Sequence, residues 1–237
     1  MRRWTSHGGP IPSIQLKSGT KEVPPFISFE GIDGCGKTTQ IRLLQQFLLA
    51  RRIPIVLARE PGGTPVGEWI RRILLDSATI HLRPMSELLL YYASRHQNLH
   101  ETILPALERG SWVLCDRYAD ASLAYQGYGR GIDLEIVETL NRIVINCRMP
   151  DLTILIDIDP GLSLARARDR NNRRTLDEGR FEKESLEFYH RVRNGYLDMA
   201  SKEPERFKVV RGDQTIDLVH QEILSVMAPF MEGPSAV

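Results

Sequence analysis

The sequence predicts an α/β fold in three layers, a parallel sheet covered by helices on both faces. Three observations point there. From residue 26 onward, short apolar runs alternate with longer amphipathic stretches. The runs are apolar at successive positions, as in strands buried on both faces. The stretches between them are long enough to be the crossovers that parallel strands require.

Residues 1–25 contain four Pro, three Gly and three Ser and carry a net charge of +3, so they read as a flexible extension outside the folded unit of residues 26–230. Strands are expected at Phe26–Phe29, Ile53–Leu57, Trp112–Cys115, Leu152–Ile156 and Phe207–Val210. Helices are expected at about 37–52, 65–76, 86–109, 133–147, 160–170, 183–201 and 215–229. In the first of these, Ile41, Leu44 and Leu48 recur at i, i+3 and i+7 and share one face.

Composition removes several classes of function. The 237 residues suit one domain, and 31 Lys+Arg against 30 Asp+Glu leave a net charge of +1. No global field draws nucleic acid or an anionic membrane. The longest apolar run, Leu88 to Ala93, falls far short of the roughly 20 residues that span a bilayer. The opening Met-Arg-Arg-Trp is not followed by the apolar stretch of an export signal. Cys35, Cys115 and Cys147 are odd in number and widely spaced, which suits a reduced, cytoplasmic protein. The six His have no metal-like spacing and are assigned no role.

The chemistry is carried by Gly31-Ile32-Asp33-Gly34-Cys35-Gly36-Lys37-Thr38, which matches the phosphate-binding loop G-x-x-x-x-G-K-[ST] and is followed by Thr39. A strand precedes it and a helix follows, as the three-layer P-loop NTPase fold requires. Its glycines let successive N–H groups face one anion, and the helix N-terminus adds positive potential. Lys37 is placed to meet the β- and γ-phosphates of a nucleoside triphosphate, and Thr38 to ligate Mg²⁺. No Asn-Lys-x-Asp is present to read guanine, so a small-molecule kinase with a second phosphate site is the expectation. Arg59-Glu60-Pro61-Gly62-Gly63 follows the second strand, and Asp116-Arg117 ends the third. Both lie at carboxyl ends of strands, where α/β sheets gather ligands. Arg59 and Arg117 therefore read as a clamp on the acceptor's phosphate, and Asp116 as part of the Mg²⁺ shell. Ala124-Tyr125-Gln126-Gly127 is read as part of a Gly-rich loop running to Gly131.

Taken together, Glu30-Gly31-Ile32-Asp33-Gly34, Arg-Glu-Pro-Gly-Gly, Asp-Arg-Tyr and Ala-Tyr-Gln-Gly resemble the thymidylate kinase family, from about residue 25 to about 228. The resemblance implies a five-stranded parallel sheet, an Arg-rich lid, ATP and dTMP as substrates, Mg²⁺, and a homodimer. Gly34 follows Asp33 where one class carries a catalytic Arg, so the chain is similar to the bacterial class, whose catalytic arginines lie in the lid. The lid is placed at about 166–182, where Arg166, Arg168, Arg170, Arg173, Arg174 and Arg180 leave a net +3 over 166–180. The resemblance makes Lys37, Arg117, Arg168, Arg170 and Arg180 the catalytic candidates. It gives the acceptor site as Asp33, Arg59, Tyr91, Arg95, Arg117, Tyr125 and Gln126, with Tyr91 stacking on thymine, Arg95 donating to its O4 and Tyr125 crowding C2′. Tyr91 and Arg95 are four apart and share a helical face. Ala121 stands where many members have Ser. Two other readings are weighed: a nucleotide kinase for another base, and a nucleotide-binding module without turnover. The intact Lys37, Thr38 and Asp116 argue against the second.

Overall fold

The structure is a computed structural model that describes residues 23–76, 78, 82–146, 148–171 and 179–231; of Arg168, Arg170 and Asn171 it describes the backbone only. The extension placed at 1–25, Cys147, and the lid stretch with Arg173 and Arg174 thus lie largely or wholly outside the described residues.

Five parallel strands form the sheet in the order β2-β3-β1-β4-β5. They are β1 (Phe26–Glu30), β2 (Ile55–Arg59), β3 (Trp112–Asp116), β4 (Leu152–Asp157) and β5 (Phe207–Arg211). All five predicted strands are present, most of them extended by a residue or two at the carboxyl end where the site lies. The phosphate-loop strand β1 is central, with Phe29 opposite Asp116 on one side and Glu30 opposite Leu155 on the other.

Alternation within the strands separates two cores. Ile27, Phe29 and Leu114 belong to the larger, with Leu44 and Leu48 of α1 (Lys37–Ala50) and Ile223 and Met227 of α9 (Ile216–Met231). Phe26, Val113 and Cys115 belong to the other, with Ile103 and Ala106. Side chains at successive strand positions face opposite sides, so two cores on alternate residues are what a sheet covered on both faces produces.

The remaining helices are α2 (Pro65–Leu75), α3 (Pro84–Asn98), α4 (Leu104–Glu108), α5 (Ala119–Ser122), α6 (Leu134–Ile145), α7 (Pro160–Asn171) and α8 (Leu186–Lys202). A wider π-type turn, Leu99–Ile103, joins α3 to α4, so the predicted helix over 86–109 is continuous.

One expectation is corrected. The stretch read as a Gly-rich loop to Gly131 is helical: α5 runs on into a π-type segment, Leu123–Gly129. Its glycines serve packing. A Cβ on Gly129 would lie 2.7 Å from the Phe188 ring, and one on Gly127 2.5 Å from Leu134 Cδ2. At Gly129 the Phe188 ring and Val192 leave no room for a side chain, so α8 closes onto bare backbone; at Gly127 the tip of Leu134 from α6 fills the space.

Candidate active site

The phosphate loop joins β1 to α1, and its shape demands glycine. Gly36, the residue before α1, has φ +106°, and Gly34 has φ +88° with Ser163 O only 2.2 Å from where its Cβ would be. Left-handed φ is costly for any residue with a Cβ. Ser163 of α7 also donates from Oγ to Asp33 O at 2.6 Å, tying the loop to that helix. Lys37 is buried and donates from Nζ to Gly31 O at 3.0 Å and Ile32 O at 3.1 Å, with Cys35 Sγ at 3.6 Å. Thr38 Oγ1 donates to Asp116 Oδ2 at 3.1 Å, which brings the two expected Mg²⁺ ligands together across the β1–β3 pair.

Arg117 has φ +68°, the left-handed region that non-glycine residues rarely enter. Its N–H donates to Phe29 O at 3.0 Å, and the turn swings the side chain back over the phosphate loop. Nη1 donates to Gly31 O at 2.8 Å and to the Tyr196 hydroxyl at 3.2 Å; Nη2 donates to Asp33 Oδ1 at 2.8 Å and the Tyr125 hydroxyl at 2.9 Å. The Tyr125 hydroxyl donates in turn to Asp33 Oδ2 at 3.0 Å, and Tyr189 donates to the same oxygen at 3.4 Å. Burial works against the Asp33 carboxylate, but Arg117 and then Lys37 outweigh it and hold the carboxyl well below its ordinary range. Below this cluster, Glu30 accepts from Tyr118 N–H and the Tyr196 hydroxyl, each at 2.7 Å. Burial, reinforced by Asp120, pushes its carboxyl up to about 7 in spite of Arg117.

A cleft of about 530 Å³ runs from the phosphate loop over these groups. Asp33, Lys37, Thr38, Asp116 and Arg117 line one part; Arg59, Tyr91, Ser122, Tyr125, Gln126 and Phe181 line the rest. A second cavity of about 370 Å³ lies against the phosphate loop, walled by Cys35, Thr39, Gln40, Gln214 and Ile216 among others, and Arg166 borders both. Arg59 is half-exposed and both carboxylate oxygens of Glu68 accept from its Nη2 at 2.8 Å. An exposed ion pair of this kind is worth little, so an incoming phosphate can take Arg59 from Glu68 at small cost.

Tyr91 and its neighbour Tyr92 face different surroundings. Tyr91 borders the cleft, whereas Tyr92 is buried with its hydroxyl donating to Val137 O at 2.8 Å. Gln126 is buried at the cleft wall, its Nε2 donating to Glu87 Oε1 at 2.9 Å. Arg95 is deeper than expected. It is 1% exposed and does not border the cleft; Ser122 stands in front of it. Its Nε donates to Glu60 Oε2 at 2.6 Å and its Nη2 to Tyr118 O and Ser122 Oγ, both at 3.0 Å, while Nη1 finds no partner among the described residues.

The comparisons with known proteins now bear on this geometry. Residues 29–223 match the family model described as thymidylate kinase. The chain belongs to the thymidylate kinase family. It is 53% identical over 189 residues to a thymidylate kinase of Citrifermentans bemidjiense, covering 79% of this chain and 84% of that one. A thymidylate kinase of Syntrophotalea carbinolica is 52% identical over 200 residues, covering 84% and 92%. The crystal structure of thymidylate kinase from Ehrlichia chaffeensis is similar at a TM-score of 0.70 and 37% identity, over 87% of this chain and all of that one.

The lid residues that the resemblance to thymidylate kinases singled out are placed unevenly. Arg180 is not at the cleft: Nη2 donates to Glu87 Oε2 at 2.6 Å, Nε to Leu74 O, and its guanidinium lies 4.5 Å over the Phe181 ring. Arg168 and Arg170 fall on the last turns of α7, their side chains outside the described residues. Sequence reasoning missed Ser122, Glu87, Tyr189 and Tyr196. The seven-residue spacing of Tyr189 and Tyr196 puts both on one face of α8, a signal that was available.

Proposed function

We propose that this chain transfers the γ-phosphoryl group of ATP to dTMP, forming dTDP and ADP, with the residues of the cleft in the following roles. The observation that carries the reading is the single cleft in which Lys37, Thr38 and Asp116 lie beside Arg59, Arg117, Tyr91 and Gln126. A phosphoryl donor and a monophosphate acceptor can meet there without a covalent intermediate, since positioning and charge neutralisation carry this reaction class.

Lys37 leaves the Gly31 and Ile32 carbonyls for the β- and γ-phosphate oxygens of ATP. The adenine side of ATP fits the second cavity, bordered by Arg166. Thr38 and Asp116 are hard oxygen donors already in contact, which suits Mg²⁺, a cation that takes one or two protein oxygens and fills its shell with phosphate and water. When bound there, Mg²⁺ would neutralise charge on the donor phosphates. Arg59 and Arg117 clamp the acceptor's phosphate, and Asp33, kept ionised by Arg117, accepts from the deoxyribose hydroxyl. Tyr91 stacks on the pyrimidine while Tyr125 crowds C2′. Because Ser122 Oγ accepts from Arg95, its O–H can donate to the base O4, and Arg95 thus acts at the base edge together with Ser122. Arg168, Arg170 and Arg180 are proposed to meet the transferring phosphoryl when the lid closes, which requires Arg180 to leave Glu87.

A homodimer fits the outward faces of three adjoining helices. Trp69 and Ile73 on α2, Met85 and Leu89 on α3, and Ile136 and Ile143 on α6 are all exposed. Apolar faces of this kind mark association sites, and sedimentation that finds only monomer would remove this part of the proposal. Among the described residues no helix is long and apolar enough to cross a membrane. A cytoplasmic location is proposed on the free thiols of Cys35 and Cys115.

Arg117→Ala tests the acceptor site. Loss of a clamping charge should raise the KM for dTMP at least about 30-fold, equivalent to about 2 kcal/mol, with a much smaller change for ATP. An unchanged KM for dTMP would move the acceptor's phosphate elsewhere.

A further inference from the structure

Glu87 touches neither substrate in the steps above, yet it is 1% exposed and surrounded by donors. Its Oε1 accepts from Gln126 Nε2 at 2.9 Å and Arg130 Nε at 3.2 Å. Its Oε2 accepts from Arg180 Nη2 at 2.6 Å and Arg130 Nη2 at 3.2 Å. Arg130 is held in turn by Glu184 at 2.6 Å and lies 4.9 Å over the Phe188 ring. Arg130 meets both carboxylate oxygens and so keeps the Glu87 carboxylate from rotating even when Arg180 leaves it. A carboxylate accepts and does not donate.

We propose that Glu87 is a positioning residue for base selection: by accepting the Gln126 Nε2 proton, it turns the Gln126 carbonyl oxygen toward the acceptor base. This rests on the acceptor site proposed above, to which it adds that Gln126, at the cleft wall, contacts the base. The opposite orientation of the carboxamide would set its oxygen against the carboxylate, two acceptors with no proton between them in a buried site. The consequence is a fixed polarity at the cleft wall. Thymine and uracil carry a proton on N3 and can donate to a carbonyl; cytosine carries a lone pair on N3 and is repelled. Without Glu87 the carboxamide could turn, present its amino group and accommodate cytosine.

The experiment measures kcat/KM for dTMP and dCMP in the full chain, with folding followed by circular dichroism. In Glu87→Gln the dTMP to dCMP ratio should fall about tenfold or more, while the KM for ATP moves far less. In Gln126→Leu the ratio should also fall, and adding Glu87→Gln to that variant should change it no further, because Glu87 acts through Gln126. An unchanged ratio in folded Glu87→Gln, with a lowered ratio in Gln126→Leu, would overturn the inference and leave the kinase reading intact. An unchanged ratio in Gln126→Leu would overturn the base contact itself and the inference with it. Should Glu87→Gln not fold, the Gln126 side-chain amide protons of the unmodified protein give the answer by NMR. Donated to Glu87, they should stay protected from exchange and shift little on dTMP addition; a large shift would mean the amino group faces the base and would overturn the proposal.

Discussion

Lys37→Ala should lower kcat about 10²–10³-fold in a protein that still folds. The ammonium sits at the first turn of α1, buried and held by two carbonyls of the loop it serves. Its two carbonyl partners keep it beside the loop, and on ATP binding it exchanges them for the β- and γ-phosphate oxygens, where charge develops. Removing it leaves that charge to the helix N-terminus, the lid arginines and, when bound, Mg²⁺. The two bonds to Gly31 and Ile32 are lost as well, each worth about 1 kcal/mol, which a domain of ordinary stability tolerates. ADP release at saturating ATP and dTMP, with circular dichroism on the same sample, checks both halves. Turnover near that of the unmodified protein would remove Lys37 from the mechanism.

Arg95→Ala should have the largest effect on stability, about 3–5 kcal/mol. Arg95 Nε lies 2.6 Å from Glu60 Oε2, with side-chain exposures of 1% and 2%. Deleting the guanidinium leaves Glu60 buried with, among the described residues, only a 3.4 Å contact from Asn98 Nδ2 to its carboxylate. Burial already pushes the Glu60 carboxyl upward despite Arg95, so without Arg95 it would be driven to take up a proton. Replacing both members should cost far less, because no charge is stranded. Urea unfolding of Arg95→Ala beside the double variant Arg95→Met, Glu60→Leu measures this. A loss under 1 kcal/mol in the single variant would contradict the buried pair. The double variant also separates structure from recognition: it should fold, yet discriminate poorly between dTMP and dCMP, because Ser122 would lose the donor that orients its hydroxyl.

The parts of this site that were legible in the sequence are local ones. The phosphate loop is contiguous, and Arg59, Asp116 and Arg117 announce themselves by standing where apolar strands end. Tyr91 and Arg95 could be placed on one helical face from spacing alone. Depth was not legible: nothing in the spacing of Arg95 says that Ser122 covers it, because Ser122 arrives from a different element 27 residues on. The contacts of Glu87 with Arg180 and of Glu30 with Tyr196 join residues 93 and 166 apart. Such pairs are decided by how the helices pack on the sheet, which periodicity does not report. The helix over Ala119–Gly129 was misread because glycine usually marks a turn. Here Gly127 and Gly129 let neighbouring helices approach, a role that depends on Leu134 and Phe188 and is invisible from the segment itself.

The central claim is that one cleft joins a donor site at Lys37 to an acceptor site that reads thymine. The most direct test is ADP release by the unmodified protein with ATP, Mg²⁺ and each of dTMP, dUMP and dCMP, compared as kcat/KM. The account predicts dTMP first and dUMP lower by roughly 10-fold to 100-fold, since the thymine methyl is worth about 1–3 kcal/mol in a shaped pocket. It predicts dCMP lower still, by on the order of 10³-fold or more, because the Gln126 carbonyl would face the lone pair on cytosine N3. Equal use of dCMP and dTMP would contradict it.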